Sequence, residues 1–332
     1  MRVLTVGELL GDVTVVKCDA SGAEVGSTWA GGAAGALHLV ARPGGSPANV
    51  AVALARLGVS VGFAGRLSSS GVGPWLAGYL SSNGVDLRHS VDAREAPTLA
   101  FVSVDTAGVP TYVFYGAGTA DWQWSRRELP RPDRLGVAAV HTGSLAATTL
   151  PGCDALAAWA EDVRAGGAIL ISYDPNVRIS NLRDRAALVG EVGSWVKRAH
   201  LVKASEDDLR VLDPGSDVIS TAQRWARRGP ELVVLTRGAQ GSIAFRSDGS
   251  SVAVPASSKA IVDTVGAGDA FCAGLLAWLS EAGALHPLGP SQLTAMELRS
   301  ALEVAGEAAS FACTRPGADP PWRATLASAP WP

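Results

Sequence analysis

The segment Ile261-Val262-Asp263-Thr264-Val265-Gly266-Ala267-Gly268-Asp269-Ala270-Phe271 passes from β-branched residues through Gly-Ala-Gly into a helix-forming stretch. Without side chains at Gly266 and Gly268, backbone N–H groups can converge on one point. A helix beginning at Gly268 or Asp269 would add its unpaired N–H groups and the positive end of its dipole, which together make an anion hole. Asp269 then sets a carboxylate beside the bound anion. That position is electrostatically costly unless the carboxylate has a chemical role, and the natural role is to take the proton of an attacking hydroxyl. A glycine turn followed by a first-turn acid has the same short pattern, so GxGD alone leaves both readings open.

A second glycine-rich run lies upstream, Pro43-Gly44-Gly45-Ser46-Pro47-Ala48-Asn49-Val50-Ala51. Gly44 and Gly45 let backbone approach a ligand, Pro47 suits the first turn of a helix, and Asn49 offers donor and acceptor to a polyol hydroxyl. Gly7-Glu8-Leu9-Leu10-Gly11-Asp12 closes the first apolar run, and Thr236-Arg237-Gly238-Ala239-Gln240-Gly241 closes a later one.

Taken together these strings resemble the ribokinase-like (PfkB) sugar kinase family. D-T-x-G-A-G-D-A-F at 263–271 matches its C-terminal signature and residues 43–58 resemble its N-terminal one; the likeness runs from Gly7 to about Ala318. The resemblance implies an α/β, doubly wound fold and an ATP-dependent kinase in which Asp269 is the base and the amides around Gly266, Ala267 and Gly268 form the anion hole. It further implies sugar contacts from Asp12, Gly44, Gly45, Asn49 and Phe101, and a nucleotide side built on Ser205, Thr236, Gly238, Gly241 and the stretch from Ala308 to Ala318. A monovalent cation, K⁺, would take carbonyls near Asp263 and Val265. The chain departs from the family at one point. Where many members carry N-x-x-E, it has Ser205-x-x-Asp208. Asp208 keeps the charge with a shorter reach and Glu206 is the alternative; Mg²⁺ is often held by few carboxylates plus water and phosphate, which keeps its use expected.

Three strings resemble the fructokinase branch: Lys203-Ala204-Ser205-Glu206-Asp207-Asp208-Leu209, Asp174-Pro175-Asn176-Val177-Arg178, and Thr314-Arg315-Pro316-Gly317-Ala318-Asp319-Pro320. The second is shared with ketodeoxygluconate kinases. Arg178 could steady a transferring phosphoryl group through charge-assisted bonds, or be a surface cation after a strand. Residues 12–40 contain only Lys17 as a Lys or Arg, and residues 97–120 contain neither. A sugar phosphate would want more cations there, so an uncharged sugar is expected, with fructose first and ketodeoxygluconate or ribose as alternatives. A catalytically silent sugar- or ATP-binding regulator is the reading from another class; an intact Asp269 counts against it.

Positioning these residues requires a scaffold, and the chain alternates short apolar runs with helical patterns as βαβ units do. Val3–Val6, Val61–Ala64, Val137–Val140, Ala168–Ser172, Leu201–Lys203 and Leu232–Leu235 read as buried strands. Pro47–Leu57, Pro74–Ser81, Asp154–Arg164, Arg185–Arg198 and Val218–Arg228 read as helices. The order predicts a mostly parallel sheet covered on both faces. Residues 12–40 and 97–120 read instead as strand pairs: either a small β layer inserted into a large domain of 1–11, 41–96 and 121–332, or an edge hairpin. The family resemblance suggests a homodimer formed through such a layer.

Composition narrows the classes. The 332 residues carry 28 basic and 31 acidic side chains without a basic tract, which argues against nucleic acid. No apolar run approaches the ~18 residues of a membrane span and no signal-peptide pattern opens the chain, so a cytoplasmic protein is expected. Cys18, Cys153, Cys272 and Cys313 form no CxxC pair, and the five histidines form no HxxxH. Reduced thiols fit better than a disulfide framework or a zinc site. No GxxxxGK[ST] occurs, and no GxGxxG follows the first strand, so P-loop and dinucleotide architectures are excluded.

Overall fold

The computed structural model describes residues 2–18, 24–26, 38–104, 110–178, 185–257 and 259–332. In chain order the elements are β1 (Val3–Val6), β2 (Leu10–Cys18), β3 (Glu24–Gly26), β4 (His38–Gly44), α1 (Ser46–Arg56), β5 (Val61–Ala64), β6 (Arg66–Ser68), α2 (Gly73–Ser82) and β7 (Val91–Ala93). There follow β8 (Leu99–Val104), β9 (Pro110–Tyr115), β10 (Ala139–Gly143), α3 (Gly152–Ala165), β11 (Leu170–Asp174), α4 (Arg185–Arg198), β12 (Leu201–Ser205), α5 (Glu206–Leu212) and α6 (Val218–Ala226). Last come β13 (Leu232–Thr236), β14 (Ser242–Phe245), β15 (Ser251–Val254), α7 (Ala267–Glu281), α8 (Gly289–Gln292) and α9 (Ala295–Ala312).

Eight strands form the main sheet in the order β15-β14-β13-β12-β11-β10-β1-β5. From β5 to β13 every pair is parallel; β14 and β15 add an antiparallel edge. Side chains alternate across each strand, so neighbours in sequence enter different cores. Val3, Leu170, Leu201 and Leu232 pack with α1, α7 and α9, while Leu4, Ile171, Val202 and Val233 pack with α3, α4 and α6. Helices on both faces make the sheet doubly wound, as expected.

The strand pairs of the insertions join a separate sheet rather than the edge of the main one. In it β2 runs antiparallel to β4 and parallel to β8, with β9 beyond β8 and β3 against the end of β2. Register separates its faces: Asp12 lies opposite Arg42 and Ala100, whereas Val13 lies opposite Ala41 and Phe101. Of the connection expected at Asp105–Pro110, residues 105–109 fall outside the described residues, as do most of 19–37.

Two strands lie further along the chain than expected, over Ala139–Gly143 and Leu170–Asp174. The parallel ladder continues through Thr142, Gly143 and Asp174, which an apolar pattern does not count. The β14–β15 edge and the small parallel pair β6–β7 were not expected at all. Trp122 and Trp124 are core residues, each 4% exposed.

Candidate active site

The helix carrying Asp269 starts at Ala267, one residue before the expected range, because Gly266 serves as its N-cap with φ 77°. That left-handed turn suits glycine, and a Cβ there would also lie 2.7 Å from the Ala318 Cβ. The Ala267 N–H turns back onto the Thr264 carbonyl at 3.3 Å, and the first i→i−4 bond is Ala270 N–H to Gly266 at 2.8 Å. The N–H groups of Gly268 and Asp269 precede that bond and are the pair available to an anion. Of the amides expected to form the hole, that of Ala267 is thus engaged within the turn.

Asp269 is 7% exposed and is held at both oxygens. Ser46 Oγ donates to Oδ1 at 2.6 Å and Asn49 Nδ2 donates to Oδ2 at 2.8 Å. Both donors belong to the first turn of α1, which Gly45 opens at φ 102° with no room for a Cβ, 2.5 Å from the Glu8 carbonyl. Burial raises the Asp269 pKa; the Ser46 and Asn49 bonds and Lys203 oppose that rise, and Asp174 adds to it.

Asp12 reaches the same place from β2. A Cβ on Gly44 would lie 2.2 Å from Asp12 Oδ2, so that glycine exists to let the carboxylate pass. Burial pushes the Asp12 carboxyl up to about 6; Arg178 pulls it down and the charge of Asp269 pushes it further up. Asp12 and Asp269 thus feel each other, with Arg178 on the exposed side. Phe101 does not join them. Its register partner is Val13, which places it on the other face of the small sheet, edge-on to Tyr115 at 5.2 Å.

Of the residues expected to meet a nucleotide, Ser205 and Thr236 are register partners at the C-terminal ends of β12 and β13. Gly238 and Gly241 frame a tight turn after β13, with φ 51° and 82°. Asp208 is a capping-box residue: its Oδ2 accepts from the Ser205 N–H and hydroxyl, and its Oδ1 accepts from Val177 N–H at 2.7 Å. Glu206 pairs with Arg210 at 2.8 Å. No cluster of three acidic, histidine or cysteine side chains able to hold a metal occurs among the described residues. Asp263 ties two loops together, accepting from Val265 N–H at 3.0 Å and Gly317 N–H at 2.7 Å. Ala308, expected beside the nucleotide, is wholly buried where Gly274 of α7 meets α9; packing accounts for it.

Four residues around the site stand inside the quoted strings but had no role assigned to them there. Ser46 holds Asp269, and Glu8 accepts from the Ser46 and Ala146 N–H groups at 3.3 and 3.1 Å. Lys203 and Asp174 form a buried ion pair of 2.8 Å beneath Gly268. The pair did leave a trace in the sequence: a lysine within the apolar run Leu201-Val202-Lys203-Ala204 must find a buried counter-charge.

Residues 9–325 match the pfkB family of carbohydrate kinases. The chain belongs to this family. The kinase is 33% identical over 286 residues to a fructokinase of Salmonella typhimurium, covering 85% of this chain and 89% of that one. A fructokinase from Xylella fastidiosa with bound ATP superposes with a TM-score of 0.81 at 25% identity, over 96% of this chain and 93% of that chain. A double mutant of a Vibrio cholerae O395 fructokinase, in a fructose-, ADP- and potassium-bound form, superposes at 0.80 with 26% identity over 99% and 98%. The fold is ribokinase-like and the protein is a sugar kinase.

Proposed function

We propose that this kinase transfers the γ-phosphoryl group of ATP to a primary hydroxyl of fructose. The observation carrying the reading is the convergence of Asp12, Asn49 and Asp269 from three separate elements at the N-terminus of α7. Its support as to acceptor is the set of fructokinase relatives, one of them solved with fructose and ADP. In this reading Asp12, Asn49 and the backbone at Gly44 and Gly45 orient the sugar. Asp269 takes the proton of the hydroxyl as it attacks in line, and the Gly268 and Asp269 amides meet the charge that develops on the phosphoryl oxygens. Burial suits Asp269 to act as the base, because a raised pKa makes it a better proton acceptor, while its two hydrogen-bond donors oppose that rise.

Ser205, Thr236, Gly238 and Gly241 line the strand ends where the nucleotide would lie, the usual place for a ligand of a parallel sheet. The carboxylates of Asp208 and Glu206 are engaged within the protein, so they fit Mg²⁺ only through water, where the ion would neutralise phosphate charge. Carbonyls of the loops that Asp263 joins, with Val265 between them, would take K⁺. The small sheet, formed mainly by 12–40 and 97–120 and reaching to Leu10 and Gly44, would act as a lid on the larger domain expected over 1–11, 41–96 and 121–332 and exclude water as a competing acceptor. Its outer face exposes Leu39, Val113 and Tyr115, and a second copy would cover it; sedimentation at micromolar concentration giving a monomer would remove that part.

The test is ADP release with Mg²⁺-ATP and K⁺ against fructose, ribose, ketodeoxygluconate, fructose 6-phosphate and adenosine. Turnover on fructose alone is the expected outcome. Turnover on ribose or ketodeoxygluconate instead would keep the chemistry and overturn the acceptor.

A further inference from the structure

Two charges are sealed under the first turn of α7, and the transfer as described makes no use of them. Lys203 comes from β12 and Asp174 from the end of the neighbouring β11; their side chains are 6% and 1% exposed and meet at 2.8 Å. The ammonium reaches the backbone of the proposed anion site. A Cβ on Gly268 would lie 2.8 Å from Lys203 Nζ, so glycine at 268 is what lets the cation lie there. Cys272, one turn along α7, donates its thiol to Asp174 Oδ2 at 3.6 Å, and Asn176 N–H donates to Asp174 Oδ1 at 3.2 Å. Asp174 is therefore fixed from three sides, and Lys203 is fixed by Asp174.

Stability alone gives little reason for this arrangement. Desolvating two ions offsets most of their attraction, and apolar or neutral replacements of a buried pair are often neutral or stabilising. Position gives a reason: a positive charge directly behind an amide that faces a phosphoryl group strengthens that group's binding most when its charge is greatest.

We propose that Lys203 is a positioning residue of the phosphoryl transfer, held by Asp174 beneath Gly268 so that its charge backs the anion-binding first turn of α7. The inference rests on the reading of Gly268 and Asp269 as the phosphoryl site. Around Asp269 stand Ser46 and Asn49 from α1, Asp12 from β2 with Arg178 beyond it, Asp174 from β11, Lys203 from β12 and Cys272 on α7 itself. Lys203 and Asp174 act on Asp269 in opposite directions, which makes single and double substitutions distinguishable.

The experiment compares wild type, Lys203→Met, the double variant Lys203→Met/Asp174→Asn, and Asp269→Asn, each with kcat, the KM for fructose and ATP, the pH profile of kcat and a thermal melt. In the double variant the fold should persist, kcat should fall about 10²-fold, and the KM for fructose should stay within about threefold. Lys203→Met alone should lose as much kcat and also move the acid limb upward in pH, since the charge of Asp174 then acts on Asp269 without the opposing charge of Lys203; the double variant should lack that shift. A folded double variant with near wild-type kcat overturns the proposal. So does one that fails to fold, because the pair would then be needed for the core itself. If Asp269→Asn keeps wild-type turnover, the reading of the site fails whatever Lys203 does; if it is inactive while the double variant is not, only the role of Lys203 falls.

Discussion

Asp269 carries more constraint than its position in a first helical turn requires. An acid there is stabilised by the helix dipole in any case, yet this one is buried, bonded at both oxygens and faced by two further carboxylates, Asp12 and Asp174. Replacement by Asn keeps the shape and one acceptor, so the melting temperature should change little while kcat falls on the order of 10²–10⁴-fold, the worth of a general base. Turnover near that of wild type would remove Asp269 from the role. Its raised pKa also sets a sign: the acid limb of kcat should lie above the usual carboxylate range. Gly44 offers a second test. An alanine there would overlap Asp12 Oδ2, 2.2 Å from its Cβ. Gly44→Ala should displace the carboxylate proposed to bind the sugar and lower kcat/KM for fructose by roughly 10–10²-fold. An unchanged KM for fructose would separate Asp12 from sugar binding.

At the scale of elements, the site depends on how α7 is seated, and Gly274 sets that. A Cβ at Gly274 would meet the Ala305 Cα at 2.9 Å and the Ala308 Cβ at 3.2 Å on α9. Gly274→Ala should therefore destabilise the protein by about 1–3 kcal/mol through overpacking, although alanine favours helix, and the urea midpoint would report it. A stabilised variant would mean that the helices separate freely. Elements whose apolar residues are contiguous were legible in the sequence: β1, β5 and α4 lie where the pattern puts them. Those whose signal was local and polar were not. α9 opens with the capping box Thr294-x-x-Glu297, a start that apolar periodicity does not register, whereas its C-terminal end stood out through motif likeness. In the site, Asp12, Asn49 and Asp269 were legible because each stands in a spaced motif. For the Lys203–Asp174 pair only the need for a counter-charge was legible; its partner was not, because it depends on β11 lying beside β12, and strand adjacency is not written in either strand.

At the scale of the whole molecule, the two sheets meet over a pair of buried carboxylates. Glu8 follows β1 and binds the Ser46 and Ala146 amides; Asp121 accepts from Leu9 N–H at 2.9 Å and Thr98 N–H at 3.3 Å, where the chain enters β2 and β8. Burial pushes the Glu8 carboxyl up to about 7 from 4.5, against bonds from its own backbone, Ser144 and the Ala146 amide, and the charge of Asp121 adds to the rise. An acid with a raised folded-state pKa binds its proton more tightly folded than unfolded. Its stabilising contribution is complete below pH 4.5 and is lost as pH rises through 7. The kinase should accordingly lose on the order of 2–3 kcal/mol between about pH 5 and pH 8 from this residue. Asp12, pushed up to about 6, adds a loss of the same sign. Carboxylates held low by arginines, such as Asp319, change the balance only at more acid pH. Glu8→Gln removes the titration, so its urea midpoint should fall less than that of wild type over this range, even if the variant is weaker throughout because an amide can accept only one of the two N–H groups well. Parallel pH dependences in the two proteins would mean that Glu8 is ionised at pH 5 in the folded state. The amides would then outweigh burial at this junction, and the two sheets would meet over a charged Glu8 rather than a neutral one.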